Sequence, residues 1–451
     1  MLLAAVLVLA VPVAALLRSL VLRPQRGVLV LAALAPFDGV LLLVDGPDLR
    51  AGWKEALVLL ILGATVVAPR SARPAVRTPV PAWVVPTFAI VALTLATAGR
   101  SSLPFLVAGL KVDHFYLLLA LAIWRCPLDG RERDHLVTIL MVGAVVTSLA
   151  GIFQQAVGQG ALNALGYDFN TVIRTTGDSV LRSFSTFEQP FPFAFYVVFV
   201  LAIAVPVALR EPLRLRNRLF LVSTPILVVG VLTAVVRAAL VALAVATLYH
   251  LARNYRAVLS VTPLLLLLVA LAPATLISAV LSASSFEERV DGWSLVVDAV
   301  TSEPFGAGIA TTGSAAEVAA DLGGENEANF GLPPDLRPYQ PDNYYVKRLL
   351  ELGPLGLWLT ILVLRHVIGG AREVRTRARP SDRALIDGWI ASVLGAIVAA
   401  TVATYWEIFP LDLYFYLMLG VVTSIDRAES PSPDSPSNQT AAAFRPTFAS
   451  S

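Results

Sequence analysis

The chemistry signalled most clearly by the sequence is anion recognition by arginine at the edge of an apolar phase. Arg237 lies in VLTAVVRAALVALAVATLYHL, with 18 uncharged residues before it and 15 after. An arginine at the centre of a membrane helix costs about 2.5–3.5 kcal/mol on insertion scales, so its position asks for a reason. Either it lies in a short outer turn and reaches the interface, or its planar guanidinium holds an anionic group, phosphate above all, through paired hydrogen bonds. Arg182 opens RSFSTFEQPF and Arg289 lies in FEERVDGW, both beside apolar runs. Carboxylates accompany them: Glu288 and Asp291 next to Arg289, and Asp342 in PDNYY, just before another run. His135, His250 and His366 fall at the opposite ends of their runs, and His114 falls inside one. A general base beside these arginines is therefore a carboxylate, or a water or hydroxyl that a carboxylate activates.

The elements that must position these groups are membrane-spanning helices. Of 451 residues, 57% are hydrophobic and 15% charged, against roughly 45–50% and about 25% in soluble domains. That composition excludes a soluble enzyme, a secreted disulfide scaffold and a nucleic-acid binder. The single Cys126 excludes an intrachain disulfide and a cysteine-based zinc site. A crossing needs about 20 apolar residues. Thirteen spans are expected, at roughly 2–17, 27–44, 54–69, 82–98, 103–124, 136–155, 190–209, 219–236, 238–251, 257–281, 344–364, 385–403 and 407–424. The expected fold is all-α and polytopic, with about 12–13 transmembrane helices in a single domain over residues 1–427. Pro36-Phe37-Asp38-Gly39 marks a place where the second span can break.

Arginines gather in alternate connections, at 18–26, 70–77, 125–133, 210–218, 253–256 and 365–383. By the excess of basic residues in cytoplasmic loops, those connections are cytoplasmic, the N-terminus is outside and the C-terminus inside. Residues 1–17 lack a basic leading segment, so a cleaved signal peptide is not expected. Two long connections, about 156–189 and 282–343, are then extracytoplasmic. Both mix aromatics, Gly, Pro and scattered charges, unlike the Ser/Pro/Ala-rich residues 428–451, which read as a disordered cytoplasmic tail. Only Lys54, Lys111 and Lys347 among the 34 basic residues are lysine. With abundant Ala, Val and Pro, this points to a GC-rich genome and a bacterial cytoplasmic membrane.

Further polar groups have blander readings. Lys111 and His114, at i and i+3 in the fifth span, share a helical face with Asp113 beside them, as a compensated polar patch would. Glu407 and Asp412 flank an outer turn and read as interfacial. Asp321, Glu325 and Glu327 could bind a cation but read better as a solvated loop, and no metal or other cofactor is expected.

Four stretches together resemble the O-antigen ligase and Wzy-type polymerase superfamily, integral-membrane glycosyltransferases acting on polyprenyl-diphosphate-linked glycans. Residues 182–196 (RSFSTFEQPFPFAFY) resemble the family's R-x-x-G-T-F-x-x-P-N-x-x-A-x-Y, and 232–242 (LTAVVRAALVA) its L-T-x-S-R-G-A-L-L-A. Residues 289–308 (RVDGWSLVVDAVTSEPFGAG) resemble R-x-x-x-W-x-x-A-x-x-x-I-x-x-x-P-x-x-G-x-G. Residues 342–358 (DNYYVKRLLELGPLGLW) resemble H/D-N-x-Y-L-x-x-L-x-E-x-G-x-x-G-L. Order and spacing agree over about 180–365. Departures are Val236-Arg237-Ala238 for Ser-Arg-Gly, Pro190-Phe191 for Pro-Asn, and Asp342 for the ligase histidine. Polymerases of the family often carry Asp-Asn at that last position.

The resemblance implies a donor glycan on polyprenyl diphosphate and a glycan acceptor, met at the outer face of the bilayer, with envelope-polysaccharide assembly proteins as possible partners. Arg237 and Arg289 would stabilise the diphosphate leaving group, with Arg182 as a third contact. Asp342 would orient or deprotonate the acceptor hydroxyl, with Glu288 and Asp291 in reserve. Asn343 joins the substrate-binding set. Tyr344, Tyr345 and Trp293 would stack on sugar faces or anchor at the interface. The alternative class is a polytopic transporter or flippase of a lipid-linked glycan.

Overall fold

The computed structural model describes residues 18–43, 52–67, 80–97, 102–167, 174–176, 180–253, 296–297, 299–323 and 341–425. It is about 80% helical, with almost no strand. The helices are α1 (Pro24–Leu34), α2 (Trp53–Val67), α3 (Val84–Ala96), α4 (Leu103–Gly109), α5 (Leu117–Arg125), α6 (Gly130–Ala164), α7 (Pro190–Arg210), α8 (Leu215–Thr233), α9 (Arg237–Ala252), α10 (Gly313–Asp321), α11 (Tyr344–Arg377), α12 (Pro380–Ala399) and α13 (Leu411–Thr423). A small antiparallel hairpin pairs β1 (Arg174–Thr176) with β2 (Val180–Arg182), Arg174 opposite Arg182.

Among the described residues, five helical segments are long and apolar enough to cross a membrane, six if the pair 103–114 and 117–125, bent by 49°, counts as one. This is the architecture of an all-α, multi-pass membrane protein. Expected spans 2–17 and 257–281 and the tail 428–451 lie outside the described residues. The second expected span does not break at its proline: α1 ends at Leu34 and passes directly into a 3-10 segment, Ala35–Leu43, so Pro24–Leu43 stays one continuous span. The sixth runs longer than expected. It is opened by a capping box of Asp129 and Glu132, kinks at Gly158 (φ 74°), close to the expected end, and resumes as a short helical stretch to Ala164, so the connection placed at 156 opens with helix. The apolar run ends near Phe153, but the Gln- and Ala-containing sequence beyond it still favours helix. Within the second long connection, α10 packs on α4 through Phe105, Ala108, Ile309, Ala315 and Ala319.

α7 is the central helix. Its apolar window is 83% buried, against 39–44% for the other long spans, because Phe193 through Ala204 are apolar all round, and such a helix must be enclosed. Small residues Ala202, Ala246 and Ala391 let α7, α9 and α12 approach closely. Near the end of α9, His250 Nε2 lies 2.9 Å from Ala202 O, and Tyr249 donates to Asp387 Oδ1 at 3.3 Å. Tyr344 N donates to Ala400 O at 2.9 Å. The starts of α7, α9 and α11 therefore share one end of the bundle with the close of α12, and the described arginine-rich connections at 125–133, 210–218 and 375–383 meet at the other.

Candidate functional site

Arg182 ends β2, half-buried, with its guanidinium 5.1 Å above the Phe191 ring and its Nε 3.5 Å from Ala234 O. The stretch after it is fastened to α6. Gln154 Oε1 accepts from Phe184 N (3.1 Å) and Ser185 N (2.7 Å), while its Nε2 donates to Ser185 O (2.7 Å). Ser185 takes φ +58° where the family pattern has glycine, and its hydroxyl donates to Thr147 O at 2.6 Å. The 232–236 turn is tied to the same stretch: Ser183 N donates to Thr233 O at 3.0 Å, and Gln155 Nε2 to Thr233 O at 3.2 Å. In that turn Val235 has φ +52°, an uncommon conformation for a β-branched residue. Such strain persists only where the surroundings fix it, and what it delivers is Arg237 as the first residue of α9, half-buried, one turn from Arg182's contact. The open amides of a helix start favour the same anionic ligand as the guanidinium.

The third and fourth stretches also meet. Pro354 has no amide proton and Gly353 leaves helical geometry at φ +67°, so carbonyls of the first turns of α11 are released from the helix. Ala307 N donates to Leu350 O at 2.9 Å and Gly308 N to Glu351 O at 3.0 Å. A Cβ on Gly306 would lie 2.2 Å from Glu351 O, and one on Gly353 2.4 Å from Pro304 O. Glycine is required at both. A chain of aromatic rings joins the two halves: Phe195 to Tyr405 at 4.9 Å, Tyr405 to Trp406 at 5.6 Å, and Trp406 to Tyr344 at 5.0 Å.

At the head of α11, Asp342 is exposed. Asn343, expected to bind substrate, caps the helix instead: its Oδ1 accepts from Tyr345 N at 2.9 Å and Val346 N at 3.1 Å. Tyr344, expected on a sugar face or at the interface, is buried, and its hydroxyl accepts from Arg348 Nε (2.8 Å) and Nη2 (2.6 Å). Tyr345 donates to Ile397 O at 2.9 Å. Glu288, Arg289, Asp291 and Trp293 lie outside the described residues, as do Glu325 and Glu327.

Directly beneath is an ionic cluster that the sequence reading missed. Lys347 Nζ lies 3.2 Å from Asp113 Oδ1, 3.4 Å from Glu351 Oε2 and in contact with Glu407. Arg348 Nη2 is 3.0 Å from Asp113 Oδ1. The side chains are 0–3% exposed. Ser314 donates to Glu407 Oε2 at 3.0 Å. A π turn at Leu110–His114 widens the α4–α5 span and aims Asp113 inward. Two expectations change here. Lys111 and His114 do not act as one patch: Lys111, 40% exposed, pairs with Glu55 at 3.3 Å, while His114 faces Thr94 at 3.4 Å. Glu407 and Asp412 are buried rather than interfacial, since the 400–410 turn folds back onto α11. The available signal was that one of only three lysines stands with Arg348 and Glu351 inside an apolar run, where charges must pair with one another.

Among the described residues, no group of three or more His, Cys, Asp or Glu side chains is arranged to hold a metal ion; where Asp113, Glu351 and Glu407 converge, the Lys347 ammonium sits between them. No protein-family model matches the chain, and no curated protein does.

Proposed function

We propose that the protein is a membrane glycosyltransferase that polymerises or transfers glycan units from a polyprenyl-diphosphate carrier at the outer face of a bacterial cytoplasmic membrane, as a polymerase rather than a ligase. The observation that carries this reading is the meeting of Arg182 with the turn that launches Arg237, 52 residues from Arg182 to the accepting Ala234 carbonyl. Two guanidiniums at one helix start suit a diphosphate. The acceptor oxygen attacks the anomeric carbon, the bond from that carbon to the diphosphate oxygen breaks, and the electron pair leaves on the lipid diphosphate. Arg182, Arg237 and Arg289 neutralise that charge. The hydroxyl proton passes to Asp342, which is exposed just before the start of α11. Preorganised donors of this kind are worth about 10²–10³ in rate each. The orientation that puts this end outside draws support from the arginines gathered at the opposite end.

The second reading, a transporter or flippase of a lipid-linked glycan, is favoured by one observation: a buried ionic cluster on a bent span, a feature of ion pathways. Reconstituted protein given an undecaprenyl-diphosphate-linked oligosaccharide separates the two. New glycosidic bonds formed without nucleotide or ion gradient are expected. Movement of the glycan lipid between leaflets with no chain growth would replace the first reading by the second.

A further inference from the structure

At the end opposite the Arg182–Arg237 turn, a cavity of about 300 Å³ opens between the starts of α6, α8 and α12 and the close of α7. Its lining contains Arg133, Arg210, Arg214, Arg216 and Arg379, against three carboxylates. The innermost arginine is fully engaged: Arg133, 3% exposed, grips Asp382 through two hydrogen bonds of 3.0 Å and donates to Leu128 O at 2.8 Å. Asp134 accepts from Arg214 at 2.8 and 2.6 Å and from Arg216 at 2.8 Å. The third carboxylate is Glu211. Five guanidiniums against three carboxylates leave the lining two positive charges in excess, and the partial positive charge of three helix starts outnumbers the partial negative charge of the one helix close, that of α7. The inner wall is apolar, with Val137, Val207 and Leu385. Fixed arginine pairs behind, a cationic rim at Arg210 and Arg379, and an apolar wall together fit a phosphate group with carbon attached to it. Basic pockets between spanning helices hold lipid headgroups in this way.

We propose that this cavity is a binding site for a phosphate-bearing anion, separate from the Arg182–Arg237 end and independent of the activity proposed there. The phosphate is either that of an anionic phospholipid or free phosphate. The test uses the full chain in a neutral detergent, following its thermal unfolding while short-chain phosphatidylglycerol, short-chain phosphatidylcholine or inorganic phosphate is titrated in. A saturable rise in Tm is expected with phosphatidylglycerol and not with phosphatidylcholine. If inorganic phosphate gives the same rise, free phosphate is the ligand; if it gives none, the lipid headgroup is. In the Arg210→Gln, Arg379→Gln double variant the half-saturating concentration should rise about tenfold for each arginine lost. A control with the same charge change, Arg372→Gln with Arg377→Gln, on exposed positions of α11 outside the cavity, should bind as the unsubstituted chain does. Equal response to both lipids, no response to either anion, or equal weakening in the two double variants would overturn the proposal.

Discussion

Where α7, α9 and α11 begin, Lys347 and Arg348 are sealed among Asp113, Glu351 and Glu407 with side chains 0–3% exposed. At the other end, Arg214 and Asp134 form a bidentate pair with 46% and 31% of their side chains exposed. The same ion-pair chemistry thus serves two purposes. In the sealed cluster each charge is held because removing its partner would leave an uncompensated ion in a low-dielectric interior, a penalty of several kcal/mol. At the open end, water solvates Arg214 and Asp134 whether or not they are paired, so that pair adds little to folding, while Arg133 and Asp382 behind it are held as a buried pair. The sealed cluster also underlies the proposed site, since Lys347, Arg348 and Glu351 occupy the first turns of the helix that Asn343 caps and Asp342 precedes.

The largest effect is expected from Lys347→Met, which leaves three carboxylates around a methyl thioether. A destabilisation of about 3–5 kcal/mol is expected, read as loss of monodisperse protein or a collapse of Tm in detergent. A folded, normally stable variant would show that the cluster is not the keystone of this end. Next come substitutions at the mouth. Asp342→Asn should lower glycan polymerisation by about 10²–10⁴ if the carboxylate takes the acceptor proton, with Asp342→His retaining activity; activity in the Asn variant with none in the His variant would reduce Asp342 to an orienting role. Protein yield and Tm should be unchanged in both, because Asp342 is exposed.

Arg237→Ala should lower polymer formation by about 10²–10³ without affecting insertion. Normal polymer yield and length in this variant would remove the main support for a diphosphate donor. Its position illustrates what a sequence can disclose. An arginine flanked by 18 and 15 uncharged residues is conspicuous on the page, and the break between α8 and α9 places it just after a short turn, as the first residue of α9. The effect of Pro36 was readable in part, because proline acts locally: it changes the helix from α to 3-10 geometry without breaking the span. The ionic cluster was not, since Lys347 and Asp113 are 234 residues apart and nothing near either announces the other. Nor was the role of Asn343 and Tyr344: both are polar residues at a helix start, and only the neighbouring amides and the Arg348 guanidinium decide whether they face a ligand or the helix itself.

The smallest effect is expected from Arg214→Gln, and it is the sharpest control on the contrast between the ends. Exposed pairs contribute about 0.2–1 kcal/mol, and Asp134 keeps Arg216, whose Nη1 donates to it at 2.8 Å and to Thr138 Oγ1 at 2.8 Å. The Tm of this variant should stay close to that of the unsubstituted chain under the same detergent and salt in which Lys347→Met unfolds. Raising ionic strength should shrink even this difference, because screening acts on solvated pairs and hardly at all on sealed ones. If Arg214→Gln instead proves as damaging as Lys347→Met, the arginine-rich end is itself a packed ionic core. The distinction between a structural end and a ligand-accepting end would then fail.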